Sequence, residues 1–406
     1  MKILLVSYWC VPYVGGVSTY TLSLKKGLER RGHEVEVLSH HPDGVHYHLL
    51  TAKRLLNKQQ VLEPTLERVK RFYAQHHPGL DPWLLEREAE RYSFEAAAAY
   101  FGLDDYDVLH AQEVISSIGL SRVKPARTPL VTTIHGALPN EWLSQGQISS
   151  KDSLAWDYAV TQDRLGAQAA DLTLVPTQWM KNLLHDEFDV PLSDLTVLPL
   201  GLDVQAFRKK RRRFLAKSNP TAPQGKKLIL CPGRLDEIKG QHILLEALGH
   251  LQELRDDWVC WLAGDGYMRA ALEERCRELG LEEHVSFLGH RDDMPSLLEA
   301  ADLVVTPSLQ DNHPYSVMEA QIAGKAIVAS DAGGIPELIH HRKTGLLCRA
   351  GDAKSLCDTM QQALNDEALR DDLGANARTR GLAEWSLDRM SERVEQRYRM
   401  VLNRNS

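Results

Sequence analysis

Short apolar runs alternate along the chain with longer stretches whose apolar residues recur at helical spacing. That alternation predicts parallel strands joined by crossover helices, an α/β architecture. In the first half the predicted strands are "KILLVS" (2–7), "HEVEVLS" (33–39), "DVLHAQ" (107–112), "PLVTTIH" (129–135), "LTLVP" (172–176) and "LTVLPL" (195–200). In the second half they are "KLILCPG" (227–233), "DWVCWLAG" (257–264), "HVSFLG" (284–289), "LVVTPS" (303–308), "AIVASD" (326–331) and "GLLC" (345–348). Between the halves, "GLDVQAFRKKRRRFLAKSNPTAPQGKK" is charged, then Ser/Pro/Gly-rich, and without apolar periodicity, which predicts a linker.

Two doubly wound domains in series follow: residues 1–205, a linker at 206–226, and residues 227–384. Residues 385–406 read as a C-terminal helix packing back on the first domain. Ligands of such sheets bind beyond the carboxyl ends of the strands, and here those ends are expected to face each other across an interdomain cleft. Residues 40–106 are largely helical and charged, with Trp83, Tyr92, Phe94, Tyr100 and Phe101 interspersed. They read as an insertion after the second strand, either a surface for an acceptor or partner or a helical decoration.

The bulk numbers agree with this organisation. A chain of 406 residues is longer than one core usually serves. With 43% hydrophobic and 25% charged residues it has the composition of a soluble globular protein. The formal charge of -7 gives no reason to expect nucleic acid as a partner. No run approaches the roughly 18 apolar residues of a spanning helix. The start, "MKILLVSYWCVPYVGG", lacks the charge and cleavage pattern of a signal peptide and reads as a buried strand. Six cysteines without a C-x-x-C pair read as reduced thiols of a cytoplasmic protein.

Three places carry candidate chemistry. Gly15 and Gly16 follow the first strand and precede a helix, where glycines let backbone N–H groups approach a phosphate; a plain tight turn is the alternative. In "CPGRLDEIKGQHILLEAL", Arg234 and Lys239 flank a strand-to-helix turn, so two cations could meet one diphosphate. A solvated surface pair would look the same in sequence.

The third place is "DNHPYSVMEA" (311–320). With Pro314 as first helical residue, His313 is the expected N-cap. The amides of Tyr315, Ser316 and Val317 then form an anion site. Eight residues of continuous helix would put Asp311 and Glu319 about 12 Å apart in rise, beyond the roughly 5–9.5 Å of glycosidase carboxyl pairs. A loop position for Asp311 would shorten that distance. Separate jobs are favoured: Glu319 as a fixed acceptor for a diol, Asp311 for hydroxyls beyond the phosphates.

Taken together these residues resemble the family 4 retaining glycosyltransferases of the GT-B fold. The family's E-x7-E segment stands here as "DNHPYSVMEAQIAGKAIVASDAGGIPE". "GRLDEIKG", "AGDGYMR", "VSFLGH", "LPLGLDVQAF" and "YVGGVSTY" match further family motifs in order. The resemblance covers nearly the whole chain apart from residues 40–106 and the basic linker.

It implies a metal-independent, cofactor-free enzyme moving a hexosyl group from a UDP- or GDP-sugar with retention, to a small-molecule, glycan or lipid-linked acceptor. Arg234 and Lys239 would bind the donor diphosphate, Glu319 the ribose, Asp311 the sugar, and the backbone near His290 the nucleobase. His135 of "TTIHG" would lie at the sugar's reacting face and Gly16 near the phosphates, with His135, Asp311, Arg234 and Lys239 as the catalytic set. Asp311 stands where the family has Glu, and Pro314 where it has Gly. A nucleotide-sugar epimerase and a non-catalytic nucleotide-sugar-binding subunit are the alternatives.

Two further patterns receive a bland reading. His40, His41, His46 and His48 are spaced too irregularly for a metal site. The run Arg208 to Arg213 reads first as a solvated linker and second as a peripheral contact with the inner membrane face.

Overall fold

The structure, a computed structural model, describes residues 1–215, 220–221 and 223–404. The chain divides into two units, Met1–Leu200 with Leu387–Ser406, and Gly201–Ser386.

The first unit is built on the strands β1 (Lys2–Cys10), β2 (Glu34–His40), β3 (His46–Leu49), β4 (Arg54–Asn57), β5 (Val108–Ala111), β6 (Leu130–Thr133), β7 (Leu172–Val175) and β8 (Leu195–Val197), in the order β4-β3-β2-β1-β5-β6-β7-β8. β2 and β3, and β3 and β4, pair antiparallel; the remaining pairs are parallel. Strand order reverses between β1 and β5, so a crevice opens beyond their carboxyl ends. Ile3 to Val6 are fully buried because helices cover both faces of a parallel sheet, and such strands read as unbroken apolar runs.

Residues 40–106 hold the β3–β4 hairpin as well as the helices Gln59–His76 and Pro82–Phe101. The hairpin is a correction to the largely helical reading, since "HYHL" carries no apolar alternation yet is buried at three of its four positions. The Pro82–Phe101 helix is no outer decoration: Phe94, Ala97, Ala98 and Phe101 enter the main core. Glu88 on its other side accepts two bonds from Arg91 (3.1 and 2.8 Å) and one from the Tyr158 hydroxyl (2.8 Å).

The helix Leu387–Arg404 closes the first unit. It lies so near the Gly16–Arg30 helix that a Cβ on Gly27 would sit 2.8 Å from the Ser391 Cβ. Its Tyr398 hydroxyl is 2.6 Å from His110 Nδ1, and His110 Nε2 is 2.8 Å from Thr133 Oγ1. These links make the end of the chain part of the fold of its beginning.

The second unit holds β9 (Lys227–Pro232), β10 (Trp258–Ala263), β11 (Val285–Gly289), β12 (Leu303–Thr306), β13 (Ile327–Ser330) and β14 (Leu346–Cys348), in the order β11-β10-β9-β12-β13-β14, all parallel. Its order reverses between β9 and β12. Residues 204–215, read as linker, are a helix of this unit, Val204–Leu215. Phe207 is buried, and Arg211 donates to both oxygens of Glu299 at 2.8 and 2.7 Å. The docked stripe is too narrow to register as apolar periodicity, because a salt bridge does part of its work. The rest of the expected linker includes residues 216–219 and 222, which lie outside the described residues. Among the described residues no helix is long and apolar enough to cross a membrane.

Gly27→Val forces its branched side chain into Ser391 and Leu387. We expect a loss of about 1–3 kcal/mol, the usual cost of overpacking, read as a lower urea midpoint; an unchanged midpoint would show that the two helices do not pack as described.

Candidate functional site

Three predicted residues follow the carboxyl ends of β9 and β12, either side of the second unit's switch point, and two of them, Lys239 and Asp311, meet. β9 runs into Gly233 and Arg234. The loop is pinned to its neighbour: Leu235 N–H donates to Asp265 C=O (3.0 Å), and Met268 N–H to Leu235 C=O (3.0 Å). A Cβ on Gly264 would lie 1.8 Å from Gly233 O, and one on Gly266 2.4 Å from Leu235 O. The glycines of "AGDGYMR" therefore permit backbone-to-backbone contact. The buried Gln241 donates its Nε2–H to Arg234 C=O (2.7 Å).

Arg234 itself points outward, 58% exposed, with Asp236 Oδ2 at 3.0 Å. Asp236 and Gln241 were not singled out in the sequence; nothing in their spacing says which side chain reaches back to a loop.

Lys239 sits in the short turn Glu237–Lys239, ahead of the helix Gln241–Gln252, rather than in that helix's first turn. Gly240 follows with φ 69°, where a Cβ would lie 2.0 Å from Pro307 O. Leu309 N–H donates to Ile238 C=O at 2.8 Å. This contact carries the Lys239 ammonium to 2.6 Å from Asp311 Oδ2, with the two side chains only 22% and 13% exposed. The Asp311 carboxylate is thus engaged by Lys239, and its main-chain oxygen accepts from Gly334 N–H at 2.8 Å.

The next helix is Tyr315–Ala323, with Pro314 as its N-cap at ψ 126° and no side chain capping it. This corrects the expected cap by one residue: His313 is in the loop before it. His313 packs edge-on against Trp385, ring centroids 5.0 Å apart, and burial pushes its imidazole down to about 3, so it stays neutral. Tyr315, Ser316 and Val317 form the first turn, whose amides follow the helix dipole outward. Because Asp311 lies in the loop, the 12 Å rise of an unbroken helix does not apply between it and Glu319.

Glu319 is half-buried. Loss of hydration raises its carboxyl to about 7, and Lys210 opposes that shift. His290 directly follows β11 and is largely exposed, 3.9 Å from Asp292. The bridge between Gly264 and Gly289 holds this strand end beside the Gly264–Gly266 loop.

In the first unit, Gly15 (φ 157°) caps the Gly16–Arg30 helix without a side-chain bond. No atom lies within 4 Å of a Cβ at Gly15 or Gly16, so packing does not require either glycine. His135 follows β6, its ring 4.6 Å edge-on from Tyr20 of that helix. Burial pushes it down to about 3, which leaves a neutral imidazole with one donor and one acceptor. A narrow crevice beyond the carboxyl end of β1 is lined by Tyr8, Trp9, Arg87, Arg91, Trp142 and Gln162 among others. The insertion supplies its two arginines. Among the described residues no three His, Cys, Asp or Glu are grouped to hold a metal ion; His41 and His46 instead share Asp43 at 3.0 and 2.7 Å.

Comparison with known proteins places the fold. The solved structure of Anabaena HepE in complex with UDP-glucose superposes with a TM-score of 0.67 at 22% identity, covering 98% of each chain. The fold is of the GT-B glycosyltransferase type. Residues 14–206 match the family described as "Glycosyltransferase Family 4", and residues 213–380 match "Glycosyl transferases group 1". The chain belongs to the family 4 glycosyltransferases. An uncharacterized glycosyltransferase of Methanocaldococcus jannaschii is 26% identical over 99% of both chains. D-inositol 3-phosphate glycosyltransferase of Corynebacterium diphtheriae is 27% identical over 89% of this chain and 84% of the relative.

A carboxyl raised in the fold binds its proton more tightly there than in the unfolded chain. Its stabilising contribution is complete below about 4.5 and is lost as pH rises to about 7. Glu319→Gln cannot ionise. We expect it to be more stable than the parent at alkaline pH by roughly 1–3 kcal/mol, with the gap closing at acid pH; equal denaturation midpoints across the whole range would contradict a buried carboxyl.

Proposed function

We propose that the second unit binds a nucleotide diphosphate sugar, UDP- or GDP-linked, and that the enzyme moves its hexosyl group to an acceptor hydroxyl with retention at the anomeric carbon. The observation that carries this is the gathering of Arg234, Lys239, Asp311 and the start of the Tyr315–Ala323 helix at the β9/β12 switch point. Such a point is where doubly wound sheets bind nucleotides. The UDP-glucose held by Anabaena HepE supports a donor of this class.

Each residue then has a physical role. Arg234, whose side chain is exposed, folds over a diphosphate, exchanging Asp236 for phosphate oxygens. Lys239 is already oriented by Asp311 and adds a second cation. The amides of Tyr315, Ser316 and Val317 complete the cradle. Asp311 keeps its free lone pairs for sugar hydroxyls while it holds Lys239. Glu319, ionised above about 7, accepts from the ribose diol, and the backbone at His290 meets the nucleobase.

In the reaction the bond from the anomeric carbon to the phosphate oxygen breaks, and the diphosphate leaves with the electron pair. The acceptor oxygen bonds to that carbon from the same face, and its proton passes to the departing phosphate oxygen. No side-chain nucleophile and no divalent ion is required when two guanidinium or ammonium groups and a helix start carry the leaving charge. His135 serves transfer rather than nucleotide binding. The first-unit crevice, walled by Trp9 and Trp142, receives the acceptor; the polyol phosphate in the name of the C. diphtheriae relative supports a hydroxyl-bearing small molecule.

Incubation with UDP- and GDP-sugars, with and without polyol and sugar acceptors, tests the reading. An inverted anomeric proton signal in the product, or a donor epimerised without acceptor, would sink it. Lys239→Ala and Arg234→Ala are expected to lower turnover at least tenfold, about 1.4 kcal/mol of barrier, with the fold intact; near-parental rates in both would remove them from the site. His135→Ala is expected to slow transfer far more than it weakens nucleotide affinity, and the reverse pattern would make it structural. Chelation with EDTA is expected to leave the rate intact.

A further inference from the structure

The helix Val204–Leu215 carries a feature that nucleotide binding does not use. Its sequence "VQAFRKKRRRFL" has six consecutive cations. Folding sorts them. Phe207 is buried, Arg211 is clamped by Glu299, and Lys210 lies 4.0 Å from Asp292. Arg208, Lys209, Arg212 and Arg213 are all exposed, and among the described residues none forms an ion pair. Positions i, i+1, i+4 and i+5 of a helix with 3.6 residues per turn fall within one arc of about 140°. The four cations therefore form a single outward face, turned away from the side that docks on the fold.

Such a face is costly to maintain unless something meets it, because like charges at this spacing repel. Half-buried Phe214 and Leu215 follow at the end of the helix and add apolar contact. The chain as a whole is acidic, with a formal net charge of -7 even with these six cations counted. A nucleic acid spreads its charge beyond one short helix and would meet that acidic surface. A flat anionic bilayer touches the helix face alone.

We propose that this helix docks the enzyme on the surface of a membrane rich in anionic phospholipid, through Arg208, Lys209, Arg212 and Arg213. The attraction is electrostatic and superficial, with no segment inserted across the bilayer. Each cation near such a surface is worth about fivefold in partitioning, so four give a several-hundredfold preference for anionic over neutral lipid. The interaction is independent of the donor reading, since none of the four is placed at the nucleotide.

The test is cosedimentation of the full-length protein with vesicles of phosphatidylcholine alone or containing about one third phosphatidylglycerol, an anionic surface of the required kind. Binding to the anionic vesicles at low salt, none to the neutral ones, and release in molar salt, where the Debye length shrinks to about 3 Å, are expected. The variant R208Q/K209Q/R212Q/R213Q is expected to lose several-hundredfold in partitioning while keeping its melting temperature. Failure of the parent to pellet with anionic vesicles at low salt would overturn the proposal. So would undiminished binding by the variant, or tighter binding of the parent to heparin or duplex RNA than to vesicles. If the variant fails to fold, the lipid and salt dependence of the parent decides alone.

Discussion

The ion pair between Lys239 and Asp311 is the contact on which the candidate site depends. It joins the exits of β9 and β12, the two strands between which the second sheet reverses its order. A lysine can reach an aspartate, one methylene shorter than a glutamate, only if the two backbones already run close. Gly240 against Pro307 and Gly333 against Asp311 supply that closeness, since a Cβ at either would lie 2.0 or 2.1 Å from the facing carbonyl oxygen. The pair is shielded enough to matter. A charge pair at 4 Å is worth about 4 kcal/mol at an effective dielectric near 20, before desolvation.

In the second unit this arrangement places positive charge on Arg234, Lys239 and the start of a helix, and withholds it from His313. His135 and His313 are both held neutral near physiological pH by burial. Glu319 is the exception, its carboxyl poised at about 7 where ionisation depends on what approaches it.

The first unit follows another logic. Its insertion is tied in through apolar packing on one side and through the buried Glu88 with Arg91 and Tyr158 on the other. The chain's last helix returns to the same unit, where Tyr398 meets His110 and Gly27 makes room for Ser391. The basic helix of the second unit has both a docked face and an outward face, and the charge on the outward face forms no ion pair among the described residues. Lys210 links that helix electrostatically to Glu319.

By itself the sequence determined twelve of the fourteen strands described in the two parallel-cored sheets, and the positions of Arg234, Lys239, Asp311 and Glu319 beyond strand ends. Buried parallel strands are unbroken apolar runs, and turn residues punctuate them, so both are local signals. The hairpin in the insertion, the helix at 204–215 and the cap at Pro314 were decided by tertiary contact: burial of "HYHL", the clamp between Arg211 and Glu299, and the chain's path into the Tyr315–Ala323 helix. Spacing could set Asp311 and Glu319 eight residues apart, but it could not say that Asp311 spends its carboxylate on Lys239. That partner follows a strand distant in sequence and adjacent only in the sheet.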